Sequence, residues 1–140
     1  MECTGMKITK PKFRVSEKDR SPPDISVGNG NYELKGRIWL EGSSGTFLGY
    51  GRVVLLERIK KYGSISKAAR SMGMSYRHAW ELVDSINRNA KSPLVITSIG
   101  GKGGGGAQVT REGERAIEFF WRLYSKFETF LKEEMKSLDF

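Results

Sequence analysis

Tyr76, Arg77 and Trp80 stand together in the segment GSISKAARSMGMSYRHAWELVDSINRN, residues 63–89. At helical spacing they share one side of a helix. A guanidinium there can grip two acceptors at once, and flanking flat rings can press on a sugar or a methyl group. This is chemistry for recognising a grooved polyanion, not for making or breaking bonds. Upstream, Ser64, Ser66 and Lys67 lie where a helix begins, a position whose free backbone N–H groups hold phosphate oxygens. Downstream, Lys102 stands in the run GGKGGGG at 100–106. There Gly103 and Gly104 let the backbone lie close against phosphates or in a minor groove.

These residues must be presented by two short helices and a tight turn. Ser64 or Ser66 can cap the first helix, which would bury Ile65, Ala68, Ala69 and Met72. Gly73 turns the chain, Met74 plugs the corner, and Ser75 caps a second helix over 75–89 with Ala79, Leu82, Val83 and Ile86 inward. Such a pair is a helix-turn-helix, and the second helix is its recognition helix. Residues 94–99 and 107–109 then read as two strands around the glycine run, the pattern of a wing. The expected fold is α+β, mainly α: a winged helix-turn-helix with an N-terminal β-hairpin and a long C-terminal dimerisation helix.

Three parts are expected along the chain. Residues 1–31 hold three of the four prolines and few large apolar side chains, and read as a flexible arm whose Lys7, Lys10, Lys12 and Arg14 could touch a groove. Residues 32–110 would be the DNA-binding domain. It opens with a hairpin over 32–48 turned at Gly42-Ser43-Ser44-Gly45, with Gly49 and Gly51 breaking the strand before a scaffold helix over 52–62. Residues 111–140 would form the dimerisation helix, capped by Thr110 with Glu112 and Glu114 in its first turn. Ile117, Phe120, Tyr124, Phe127 and Leu131 repeat along it at spacings of three and four, a short heptad seam suited to a homodimer. Ala116, Phe119, Trp121, Leu123, Phe130 and Met135 beside it add more apolar surface than one small domain covers. The alternative is that this helix folds back onto its own hairpin and scaffold helix.

The net charge of +8 is uneven: residues 52–110 carry 10 basic and 3 acidic side chains, against 8 and 6 before them and 6 and 7 after. The excess therefore coincides with the helix-turn-helix, where it would favour phosphate backbones through counterion release. Cys3 is the sole cysteine, which excludes an internal disulfide and fits a reducing cytoplasm. No run of 18 apolar residues is present, so no membrane partner is expected. His78, without cysteine, second histidine or clustered carboxylate, reads as structural, and neither metal nor cofactor is expected. The run 101–106 satisfies G-x-G-x-x-G, but a strand follows it where a dinucleotide site needs a helix. No nucleophile is paired with a base, so the chain is not read as an enzyme.

Gly63-Ser64-Ile65-Ser66-Lys67-Ala68-Ala69, Met72-Gly73-Met74-Ser75-Tyr76, Ala79-Trp80, Asn87, Pro93-Leu94-Val95, the glycine run and Val109-Thr110-Arg111-Glu112-Gly113 together resemble the N-terminal DNA-binding domain of the ModE family. That family comprises molybdate-responsive transcription regulators, and the resemblance covers about residues 33–136. The helical order is also similar to LysR-type regulators. The resemblance implies a transcription regulator that binds double-stranded DNA as a homodimer. ModE continues into a C-terminal pair of oxyanion-binding modules, whereas this sequence ends at Phe140, so no molybdate sensor is expected within it. Constitutive action, another sensing route or a separate effector-sensing partner stay open. So do a role for Trp80 as contact or as aromatic prop, and two rival functions: a winged-helix protein or RNA interaction module, and non-specific, chromatin-like DNA binding.

Overall fold

Side-chain oxygens start three of the four helices. The Ser64 hydroxyl accepts from the Lys67 N–H (3.2 Å), that of Ser75 from His78 (3.1 Å) and that of Thr110 from Gly113 (3.1 Å). The computed structural model describes residues 24–99 and 106–140. Among them the order is β1 (Ile25–Gly28), β2 (Glu33–Gly36), β3 (Leu40–Gly42), β4 (Gly45–Leu48), α1 (Tyr50–Tyr62), α2 (Ile65–Ser71), α3 (Tyr76–Asn89), β5 (Val95–Ser98), β6 (Gly106–Val109) and α4 (Arg111–Lys136). The strands pair as three antiparallel hairpins, β1 with β2, β3 with β4 and β5 with β6. The fold is α+β, with helices supplying most of the core.

Three expectations about the N-terminal part change. Residues 1–23 of the proposed arm lie outside the described residues, but 25–28 are ordered as β1. Ile25 is buried and Val27 partly so, alternating with exposed Ser26 and Gly28, while Asn29 closes the turn by accepting from the Asn31 and Tyr32 N–H groups. The single hairpin expected over 32–48 is therefore two, because β2 pairs back to β1 and only β3 turns into β4. Gly51 breaks nothing; it lies in the first turn of α1, which begins after an extended Gly49.

α1 is the hub. Val53, Leu55, Leu56 and Ile59 are fully buried, with Ala68 and Ala69 of α2, Ala79 and Ile86 of α3 and Phe120 of α4 packed around them. Tyr50, Phe120, Trp121 and Tyr124 form an aromatic cluster, with Tyr50 edge-on to Trp121 at 5.3 Å and Trp121 edge-on to Tyr124 at 5.7 Å. The Trp121 indole N–H donates to Glu57 Oε1 at 2.7 Å. Burial pushes the Tyr50 hydroxyl up to about 12, helped by the neighbouring Tyr124 and Glu57, and burial also raises Tyr124. Both shifts favour the neutral phenol in the folded state. Stability is therefore expected to be complete below the ordinary tyrosine value of 10 and to fall as pH rises toward about 12. Urea unfolding at stepped alkaline pH, with tyrosinate absorbance followed in parallel, checks this; unchanged stability across that window would contradict it.

The seam assigned to a dimer is corrected by this packing. Ile117, Phe120, Tyr124 and Leu131 are buried within one chain, and Phe127 packs partly buried against the same core. α4 lays this face on α1 and on the β1–β2 hairpin, so close that a Cβ added at Gly36 would lie only 2.8 Å from the Phe127 ring. The β1–β2 hairpin, whose first strand was read as part of a loose arm, supplies the cover. Of the large apolar side chains of α4, Phe119, Leu123 and Phe130 stay exposed.

Candidate nucleic-acid interface

α2 and α3 meet through a four-residue corner. Gly73 adopts φ +64°, which a residue with a side chain rarely takes, and the Met74 N–H returns to the Ala69 carbonyl at 3.0 Å. Met72 and Met74 close the corner against the core, as expected. Of the two serines that could cap α2, Ser64 does so, leaving Ser66 and Lys67 exposed in its first turn.

Ala79, Val83 and Ile86 bury one face of α3, and Leu82 borders it. The opposite face brings the expected residues together. Tyr76 and Trp80, one turn apart, keep 56% and 49% of their surface exposed. Arg77 lies beside them with its side chain 89% exposed, paired with Glu81 at 3.2 Å. A pair this open is worth about 0.3–0.5 kcal/mol, so the guanidinium can leave Glu81 for a better acceptor at small cost. His78 is exposed and gives its backbone N–H to the Ser75 cap. Among the described residues no group of three or more His, Cys, Asp or Glu is placed to hold a metal. Nor does any helix there have the length and apolarity to cross a membrane.

The β5–β6 hairpin is tied down on both outer edges. On the β5 side the Asn87 carboxamide oxygen accepts from the Leu94 (2.9 Å) and Val95 (3.2 Å) N–H groups, and its NH2 donates to the Val95 carbonyl (2.9 Å). On the β6 side the Ala107 N–H donates to the Gly63 carbonyl in the α1–α2 turn at 3.0 Å. Thr110 closes the base, its N–H on Leu94 (2.9 Å) and its hydroxyl on Pro93 (2.8 Å). Lys102, Gly103 and Gly104 lie outside the described residues.

Sequence reasoning gave no role to Asn87 or Asn89. Asn89 accepts from the Ser44 N–H at 2.9 Å and donates to the Ser85 carbonyl, joining the β3–β4 turn to the end of α3. The available signal was asparagine twice in the last turn of a helix, where it is a poor helix former that seeks backbone partners.

No protein-family model matches the chain. It is 38% identical over 95 residues to the molybdenum transport protein ModE of Azotobacter vinelandii, a match covering 68% of this chain and 35% of that protein. It is 41% identical over 92 residues to the transcriptional regulator ModE of Yersinia pestis, covering 63% and 35%. To the DNA-binding transcriptional dual regulator ModE of Escherichia coli K12 it is 44% identical over 69 residues, covering 49% and 26%. The similarity is thus to proteins named ModE, over about two thirds of this chain and about a third of the length of the first two relatives.

Proposed function

We propose that the chain is a ModE-like transcription regulator whose winged helix-turn-helix binds duplex DNA as a homodimer. The observation that carries this is the outer face of α3: Tyr76, Arg77 and Trp80 project from the start of a helix whose other face is anchored in the core and whose last turn holds the β5–β6 hairpin. The relatives' names and the basic excess over residues 52–110 support the same reading. In it α3 enters the major groove from Ser75, Arg77 grips a guanine, and Tyr76 meets a phosphate or a thymine methyl. Trp80, half exposed, is free to press on the sugar wall. Ser64, Ser66 and Lys67 contact phosphates, and Lys102 with Gly103 and Gly104 follows the neighbouring groove. The dimer forms through the exposed Phe119, Leu123 and Phe130 of α4, which places two copies of α3 on one site.

The test is binding of the purified protein to its own upstream duplex and to a scrambled one, across salt and with and without molybdate, with oligomeric state from light scattering. Selective binding by a dimer supports the proposal. Equal, steeply salt-dependent binding to both duplexes would mean that only the phosphate backbone is read. No duplex binding would turn the same face toward protein or RNA. Arg77→Ala is expected to lose about 1–3 kcal/mol of discrimination at one base pair while scrambled DNA binds nearly as before. Unaltered selectivity would remove Arg77 from base reading.

A further inference from the structure

We infer that Asn87 is a positioning residue for DNA binding: its carboxamide sets the angle of the β5–β6 hairpin against α3 without itself touching DNA. This rests on the DNA-binding reading above. The carboxamide behaves as a one-residue strand on the free edge of β5, accepting from two successive N–H groups and returning a hydrogen bond to the Val95 carbonyl. The side chains of Leu94 and Val95 are buried in the core, which fixes where the hairpin is rooted. Apolar burial is non-directional, however, and the bonds of Ala107 to Gly63 and of Thr110 to Leu94 hold the β6 side and the base, which leaves the outer edge of β5 free to roll. Three hydrogen bonds from one rigid planar group remove that freedom, because each is directional. Their other end is the last turn of α3, the helix that carries Tyr76, Arg77 and Trp80. At about 3.3 Å per residue, Ser98 lies roughly 10 Å beyond Val95, so a tilt of about 15° at the root shifts it by roughly 3 Å. That is enough to lift a hairpin off a backbone it follows.

Asn87→Asp separates geometry from folding. It keeps both acceptor bonds but sets a carboxylate oxygen against the Val95 carbonyl where an N–H had donated. Wild type and variant are compared as full 140-residue chains on the same upstream duplex, by anisotropy across salt and by hydroxyl-radical footprinting, once circular dichroism shows equal helix content. The variant is expected to bind about tenfold more weakly, and its salt slope to fall by about one as a phosphate contact is lost. Its footprint should shorten at the flanks while protection at the centre persists. A folded variant with the wild-type slope and full footprint overturns the inference even if it binds somewhat more weakly, since a structural defect lowers the active fraction without changing which phosphates are touched. Should Asn87→Asp not fold, Asn87→Ser is measured the same way, and failure of both to fold makes Asn87 a residue of the fold and overturns the positioning role. If wild type itself does not bind, the DNA-binding reading has failed, and the wild-type arm alone shows it.

Discussion

Phe120→Ala is expected to cost about 3–5 kcal/mol of folding stability, the range for removing a fully buried aromatic ring. Phe120 is 1% exposed, within ring-contact distance of Trp121 (5.5 Å) and Tyr124 (6.2 Å). Its loss opens a cavity at the centre of the contact between α4 and α1, and nearby side chains already packed edge to face cannot collapse into it. The counterpart is Phe130→Ala. Phe130 is 56% exposed, so its removal should leave single-chain stability within about 0.5 kcal/mol and instead weaken self-association. Urea unfolding at low concentration, where one chain is compared with one chain, together with sedimentation across concentration, separates the two. A Phe120→Ala protein of wild-type stability that had lost its dimer would restore the seam read from the heptad spacing, and the packing described for α4 would then be wrong.

The contrast marks what kind of information the sequence carries. The α2–turn–α3 unit was legible because its signals are local: the Ser75 cap, the positive φ of Gly73 and the Ala79, Val83, Ile86 spacing each act within a few residues. The same held for the Thr110 cap and for the outward placement of Tyr76, Arg77 and Trp80. The direction in which α4 faces was not legible. A run of apolar residues at spacings of three and four says that one face is covered, not by what, and here the cover is a hairpin more than 80 residues away in sequence (Gly36 against Phe127). β1 escaped notice because a four-residue strand between prolines and glycines has too few alternations to stand out. The roles of Asn87 and Asn89 escaped because a polar side chain in a last turn does not reveal which backbone it will reach.

Gly113→Ala should be the second most damaging change, although it replaces glycine by the best helix former inside a helix, where propensity alone predicts a gain of about 1 kcal/mol. The reason is close approach. A Cβ at Gly113 would overlap the Leu94 carbonyl oxygen and lie 2.6 Å from Val109 Cγ1. Neither neighbour can yield freely. The Leu94 carbonyl is held by the Thr110 N–H, the Leu94 N–H is held by Asn87, and the Val109 backbone is paired with Val95. The helix must therefore lift off β5, stretching the Thr110 cap as it goes. Overpacking and the strained hydrogen bonds together are expected to cost about 2–4 kcal/mol, outweighing the propensity gain. Thermal unfolding should show a midpoint lower by roughly 10 °C. A variant as stable as wild type would mean that α4 can slide without resistance, and that the Thr110-x-x-Gly113 spacing is not a packing device. Because the start of α4 and the end of α3 both grip Leu94, the residue that leads into β5, the folded fraction of Gly113→Ala should also bind duplex DNA more weakly, with the shortened footprint expected of Asn87→Asp. Two substitutions on different helices would then converge on one defect, which neither loss of charge nor loss of a base contact can produce.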